Sequence, residues 1–402
     1  MGLFNLFGGR KEEKKKIPSE IKAQLNLLRQ AHPEIRGLSD EQLIQMIQQA
    51  KQVRMMAQAG TFDEADMERM SAEECGAIGE HLLNVGRWQE AERWFLATLE
   101  KAEKAGDLRI QCEATAALGQ LCSNRGEFPQ AMKLYQQSLG LAERIGDRRG
   151  QAANYGGIGM IYLMQGQYPQ AIEHLKKSLE IAVKLGDEEG LATGYGNLGL
   201  VYHQQGDLGR AIEAHEKSVA LNLKTGKEHG AAQAYGNLGN VYQEQGRYDL
   251  AVEMHRKCLA ITERLGTEAS SAQAYGNIGN VYVGQGALDE AIRMYEKALV
   301  IMQRINDEPG MARQYASLAN CYQQKGNTAR ALEFFRKSLD ISDRIGDRHT
   351  SANTYFNLGN LYCDAIGDPA QARAHYEKAK ALYEMVGDAK NTQQATRALR
   401  GL

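Results

Sequence analysis

A primary amide donates two hydrogen bonds and accepts others, so it matches both polar groups of a peptide bond. Such amides recur in this chain at fixed spacing. Asn197, Asn237 and Asn277 stand 40 residues apart, as do Asn240, Asn280, Asn320 and Asn360, and so do Gln233 and Gln273. Asn357 continues the first set and Arg313 the third. Held in register on neighbouring helices, these residues form a polar, nearly uncharged ladder able to grip the backbone of an extended peptide.

Other chemistry finds little support. There is no phosphate-binding G-x-x-x-x-G-K-[ST] loop, no H-E-x-x-H and no G-x-S-x-G, and Gly156-Gly157-x-Gly159 lies inside a helical pattern with no strand before it. His215 and His255 share a column 40 residues apart. Packed helices lie about 8–10 Å apart, while two zinc-bound histidines must each come within about 2 Å of the metal. That column otherwise holds Phe95, Tyr135, Leu175, Tyr295 and Phe335, which reads as packing. The expectation is no catalysis, no metal and no cofactor.

The elements that must position the ladder follow from the period. Residues 191–206 read LATGYGNLGLVYHQQG, 231–246 read AAQAYGNLGNVYQEQG, and 271–286 read SAQAYGNIGNVYVGQG. The 40-residue spacing holds from about 71 to 350, and a last copy, 351–391, carries one extra residue that moves its glycine to Gly367. Eight copies result. In each, Tyr195, Leu198, Gly199 and Tyr202 or their equivalents share one face of a first helix. Of the 18 tyrosines, 12 fall in just two such columns, which marks them as packing residues. A second helix follows a glycine such as Gly206 and repeats an alanine at 171, 211, 251, 291 and 331. It ends in Gly-Asp or a variant, as at Gly186-Asp187, where glycine suits a left-handed helix end and aspartate caps the next helix.

These residues resemble the tetratricopeptide repeat (TPR): an aromatic, a Leu-Gly pair and a tyrosine in helix one, then an alanine in helix two. The resemblance covers about 320 of the 402 residues, the eight copies of 40. It implies an all-α fold, a right-handed TPR α-solenoid (superhelix) of about eight helix-turn-helix repeats at 71–391, with a capping helix at 392–402. The 40-residue length with Tyr-Gly-Asn-Leu-Gly at 195–199 looks most like the TPR domain of Pins/LGN-type cell-polarity adaptors. Among TPR proteins the first helices line a concave groove, and asparagines matching Asn197, Asn237 and Asn277 grip extended peptides. The resemblance thus implies a protein-binding adaptor. TPR co-chaperones clamp a C-terminal carboxylate with lysines on this face; here Gly, Gln or Asn stand there, and Arg313 is the sole basic candidate.

The face opposite the tyrosines strengthens the ladder reading. Advancing about 100° per residue, it collects Thr193, Asn197, Leu200 and Gln204, then Gln233, Asn237, Asn240 and Glu244. Across 151–165, 191–205, 231–245 and 271–285 the only Asp, Glu, Lys or Arg is Glu244, whereas 208–227 alone carries six. The plainer alternative is a solvated or structural face. Solvated helix faces favour Lys, Glu, Arg and Ala, however, because asparagine is a poorer helix former. With repeats about 10 Å apart and about 3.3 Å per extended residue, five repeats cover about 15 peptide residues. Gly196, Gly236 and Gly276 beside the ladder would leave room for a partner backbone.

The first 70 residues read differently. A segment at 1–16 places Leu3, Phe4, Leu6 and Phe7 before Arg10–Lys16, which carries a net +3. It fits a membrane-surface tether or simply a disordered tail, and Leu6 breaks the myristoylation pattern. Residues 17–70 form an expected helical extension that caps the solenoid: a helix at 19–31, a second at 40–59 led by Ser39 and Gln42 and rich in Met46, Met55 and Met56, then Thr61 with Glu64.

Composition bounds the functions. The net charge of −2 leaves no footprint for nucleic acid. No run approaches the ~18 apolar residues of a membrane span, and six cysteines without a CxxC pair suggest a reduced, cytoplasmic chain. Glycine, at 42 residues, is in excess, and the repeat columns account for most of it. The expected role is a scaffold binding a partner peptide. The alternatives are a surface recruitment factor tethered by 1–16, and a regulator that sequesters a partner. No feature specifies an oligomeric state.

Overall fold

The 40-residue period appears as helical hairpins in a computed structural model that describes residues 64–402, together with Lys22, Leu25, Asn26, Gly37, Ser39, Asp40, Leu43 and Ile44. The 1–16 segment, most of the expected helices at 19–31 and 40–59 with their methionines, and the Thr61 cap lie outside the described residues. Among the described residues there are 18 α-helices and no strand.

A short helix, α1 (Glu64–Arg69), precedes the repeats. Repeats 1 to 4 are α2 (Ala72–Asn84) with α3 (Trp88–Ala105), α4 (Leu108–Asn124) with α5 (Phe128–Ile145), α6 (Arg148–Met164) with α7 (Tyr168–Leu185), and α8 (Glu188–Gln204) with α9 (Leu208–Lys224). Repeats 5 to 8 are α10 (Glu228–Glu244) with α11 (Tyr248–Leu265), α12 (Glu268–Gly284) with α13 (Leu288–Arg304), α14 (Glu308–Gln324) with α15 (Thr328–Ile345), and α16 (Arg348–Leu361) with α17 (Pro369–Met385). A last helix, α18 (Ala389–Gly401), closes the chain; it takes in most of 392–402 and starts where Asp388 accepts from the Asn391 N–H at 3.0 Å. The chain divides into two compact units, Met1–Gly150 and Gln151–Leu402.

One dipeptide ends each hairpin and starts the next. Gly186 adopts φ 64°, the Asp187 N–H returns to the Ala182 carbonyl at 2.9 Å, and the Asp187 carboxylate accepts from the Gly190 N–H at 3.0 Å. This joins a left-handed helix stop to an N-cap. The same junction at 306–307 has no glycine: Asn306 takes φ 57°, the one non-glycine with positive φ among the described residues. Ser71 and Glu74 form a capping box at the head of α2, each side chain bonded to the other's backbone N–H.

Within a hairpin a ring seats on a glycine. A Cβ added to Gly199 would lie 2.5 Å from the His215 ring, and one added to Gly279 would lie 2.5 Å from Tyr295. The alanine column at 171, 211, 251, 291 and 331 is fully buried. These small residues let the paired helices approach closely.

In the second unit each repeat adds a lysine over a tyrosine. Lys177 covers Tyr155, Lys217 Tyr195, Lys257 Tyr235, Lys297 Tyr275, Lys337 Tyr315 and Lys378 Tyr355, all 5.1–5.8 Å from the ring centre. The Tyr275 hydroxyl also donates to Glu263 at 2.8 Å, on the second helix of the preceding repeat. At Tyr275, Tyr315 and Tyr355 the column thus ties a repeat to its predecessor while the ring face supports a cation. In the first unit the same two columns hold Cys75 with Ala97 and Thr115 with Gln137, and both residue types change together.

The extra residue of repeat 8 is absorbed by a π-helical turn, Tyr362–Ile366. Its closing bond shows the insertion: the Asp368 N–H reaches the Tyr362 carbonyl, six residues back, whereas Asp207 reaches Tyr202 and Asn327 reaches Tyr322, five back. Such single π turns recur at functional sites.

Candidate functional site

The first helices of repeats 4 to 8 carry the ladder, all within the second unit. Asn197 on α8, Asn237 on α10, Asn277 on α12 and Asn357 on α16 are half-buried; Ser317 takes this position on α14. Their amides bond to no other described residue. None of these amide atoms is among the fully buried polar atoms without a partner, so each is open to solvent or to a ligand. Gln233, Gln273 and Arg313, four positions earlier on their helices, are exposed.

The column three residues further on behaves differently. The Asn280 Oδ1 accepts from the Tyr295 hydroxyl at 2.7 Å, and the Asn360 Oδ1 accepts from Tyr376 at 2.7 Å. In the first unit Gln120 and Tyr135 repeat this pairing at 3.1 Å. Asn240 and Asn320, opposite His255 and Phe335, make no such bond. Asn280 and Asn360 are therefore held by their own repeats, with the oxygen engaged and the Nδ2 donors left outward. The signal for this was in the sequence. Wherever the second-helix position is tyrosine, the first-helix position is an amide; opposite Leu175 and His215 it is Met160 and Leu200.

Four ladder residues meet in one place. Asn280, Asn320, Asn357 and Asn360, with Ser317 and Asp364, line an open cleft of about 620 Å³. Asn197, Gln233, Asn237, Asn240, Gln273, Asn277 and Arg313 lie outside it. Arg313 makes no ion pair among the described residues. Burial works against ionisation of the Asp347 carboxyl, yet the bonds from Thr350, with Arg313 and His349 nearby, hold it below its ordinary value. Glu244 pairs with His203 at 2.6 Å, across repeats 4 and 5. His203 and Asp364 are absent from the expected ladder. Asp364 continues the column of Gln204, Glu244, Gly284 and Gln324, so the period itself pointed to it.

One expectation needs correction. Gly196 and Gly276 do not open space for a partner. A Cβ on Gly196 would come within 3.3 Å of the Ser218 hydroxyl and one on Gly276 within 2.9 Å of the Gln314 side chain, so their small size serves close packing against the second helix or the next repeat. At Gly236 a Cβ would meet only the Cys258 sulfur at 3.9 Å, an ordinary contact.

His215 and His255 are fully buried over Gly199 and Gly239, and neither ring nitrogen of either residue has a hydrogen-bond partner. Burial pushes both imidazoles down to about 4, with nearby His203 adding to the effect at His215. Among the described residues no three His, Cys, Asp or Glu side chains are placed to hold a metal ion. The six cysteines are free, and no described helix is long and apolar enough to cross a membrane.

Hairpins of two helices stacked at a fixed period, with a polar face on the first helices of repeats 5 to 8, define a helical-repeat solenoid. The pattern of the tetratricopeptide repeat family matches residues 70–144, 150–224, 230–304 and 310–385, and the chain belongs to that family. Among solved structures it is similar to a signal transduction ATPase with numerous domains, carrying a tetratricopeptide repeat sensor, from Pyrococcus horikoshii. The TM-score is 0.64 at 17% identity, over 85% of this chain and 53% of that one, so this chain spans about half of that protein's length. It is also similar to a Rap protein complexed with competence and sporulation factor (TM-score 0.55, 15% identity, 82% and 96% covered). A third is a tetratricopeptide repeat protein from Parabacteroides merdae (TM-score 0.51, 18% identity, 72% and 97% covered). At these identities the likeness concerns the fold alone. Among curated proteins none matches the chain.

Proposed function

We propose that this tetratricopeptide repeat chain is a non-enzymatic scaffold that holds an extended segment of a partner protein along the first-helix face of repeats 4 to 8. The observation that carries the reading is the set of half-buried amides at Asn197, Asn237, Asn277 and Asn357, which have no partner within the fold and recur in four of repeats 4 to 8. A peptide backbone supplies what they lack, with one C=O and one N–H per residue. At about 10 Å per repeat and 3.3 Å per residue, one amide meets roughly every third peptide residue. About 15 residues then span five repeats. The Rap protein above was solved in complex with a factor, which supports a binding role. Six free cysteines suit a reducing compartment such as the cytoplasm.

The test is replacement of Asn237, Asn277 and Asn280 together by Ala. The wild-type chain and the variant are used side by side to capture partners from source lysate, and peptides tiled from a captured protein are then titrated. At about 1 kcal/mol per lost hydrogen bond, three weaken binding roughly a hundredfold. Unchanged affinity in a variant with wild-type helicity and melting temperature would remove the ladder.

A further inference from the structure

We infer that the cleft of repeats 6 to 8 receives a cationic group of the bound peptide, with Asp364 as its counter-charge. This rests on the groove reading above and adds a chemical preference to it. Of the residues lining the cleft, Asp364 is the only one with an ionised side chain; the rest are amides, a hydroxyl, a phenol, a thiol and apolar groups. Burial pushes the Cys321 thiol up to about 11, so it stays neutral at physiological pH. The surroundings of the cleft therefore leave one net negative charge.

That charge is not used by the fold. Asp364 is exposed and forms no ion pair among the described residues. Lys325, the lysine next to the cleft-lining Gln324, is already engaged with Asp289. The Asp364 carboxylate acts instead on neutral groups. The Cys363 thiol is raised first by burial and then by Asp364, and the Tyr376 phenol stands at about 12 through burial, Cys363 and Asp364 in turn. Tyr376 in turn donates to Asn360 at 2.7 Å, so the carboxylate sits beside the anchored end of the ladder.

The amides around it complete a site for N–H donors. The oxygens of Asn320 and Asn357 are unengaged and share the cleft with Asp364. An ammonium has three donors and a guanidinium five, and neither accepts. One carboxylate with two amide oxygens matches either group, whereas an acidic side chain would meet an uncompensated like charge. The π turn Tyr362–Ile366 supplies the position, since Asp364 is its central residue and Ala365 beside it also lines the cleft.

The cation has two sources in a peptide, a Lys or Arg side chain and a free N-terminus, and the experiment separates them. The full chain is incubated with an immobilised library of random 15-residue peptides, made once with free and once with acetylated N-termini. The expected result is enrichment of Lys or Arg at one position among bound peptides. Changing that residue to Gln weakens binding about tenfold for the wild-type chain, as for loss of a charge-assisted hydrogen bond. In Asp364→Asn the Lys and Gln peptides bind alike, while Asp364→Glu keeps the preference. Charge dependence seen only with free N-termini assigns the cation to the amine. Bound peptides with neither basic enrichment nor a preference for free over acetylated N-termini, or a Lys-to-Gln penalty equally large in Asp364→Asn, overturn the inference and leave the groove standing. If no peptide binds, or binding is unaffected by Asn357→Ala with Asn360→Ala, the groove reading itself fails and this inference falls with it.

Discussion

A neutral imidazole always carries one N–H and one lone pair, so His215 and His255, with both nitrogens unpartnered in the core, hold their repeats together at a cost. Protonation would add a buried charge, which is why both titrate near 4. The sign follows from comparison with an unfolded histidine near 6.5. Between about 6.5 and 4 the unfolded chain binds more protons, so stability is full above this window and falls as pH drops through it. The interval corresponds to roughly 3 kcal/mol per histidine at its acid end. Phe335 occupies the same column in repeat 7, so His215→Phe with His255→Phe is compatible with the hairpin. The expected outcome is a melting temperature that falls between pH 7 and 4.5 in the wild type and much less in the double variant. Parallel slopes would show that the acid sensitivity lies elsewhere.

Helix ends are where this chain spends its glycines, and Asn306 shows why. Fifteen glycines have positive φ, and Asn306 fills the sixteenth junction at φ 57°. An asparagine tolerates this region better than other side chains, and glycine better still. Asn306→Gly is expected to raise stability by about 0.5 kcal/mol, and Asn306→Ala to lower it by about 1 kcal/mol, read from urea midpoints. Hairpin boundaries were legible in advance because caps are local: Gly-Asp at 186–187 names a stop and a start in two residues. What lay between helices was less legible. The columns place Asn280 and Tyr295 on their own helices but give no distance between them, so their hydrogen bond stayed hidden. Gly276 was misread for the same reason, since a period says that a residue is small without saying which neighbour needs it small. The extra residue of repeat 8 was visible as a count, but its absorption as a π turn depends on the Asp368-to-Tyr362 bond.

In a stack of repeats each hairpin packs on its neighbours, so ends matter more than in a globular domain. In the second unit the end is α18, whose Ala395 closes over Ala352, Ala379 and Tyr383. Tyr383 also donates to Asn353 at 2.6 Å. A chain cut after Gly387 exposes this cluster. Amide exchange is expected to rise first in α16 and α17 while α8 and α10 stay protected; a uniform rise would argue for one cooperative block. At this scale the sequence was most informative, because a period of 40 residues dictates one repeating interface. The candidate site was legible in its residue types, and its convergence into a cleft at repeats 6 to 8 was not. The recurring ion pairs carry a final consequence. Lys224 meets Glu188, Arg264 meets Glu228, Arg304 meets Glu268 and Arg344 meets Glu308, always 36 residues apart. Each of these four hairpins is thus fastened at its open end in the same way as the next. Loss of residues 231–270 would bring together surfaces of kinds that already meet elsewhere in the chain. The reach of the proposed binding face is in that sense a copy number, which unequal recombination can raise or lower by one hairpin without inventing a new interface.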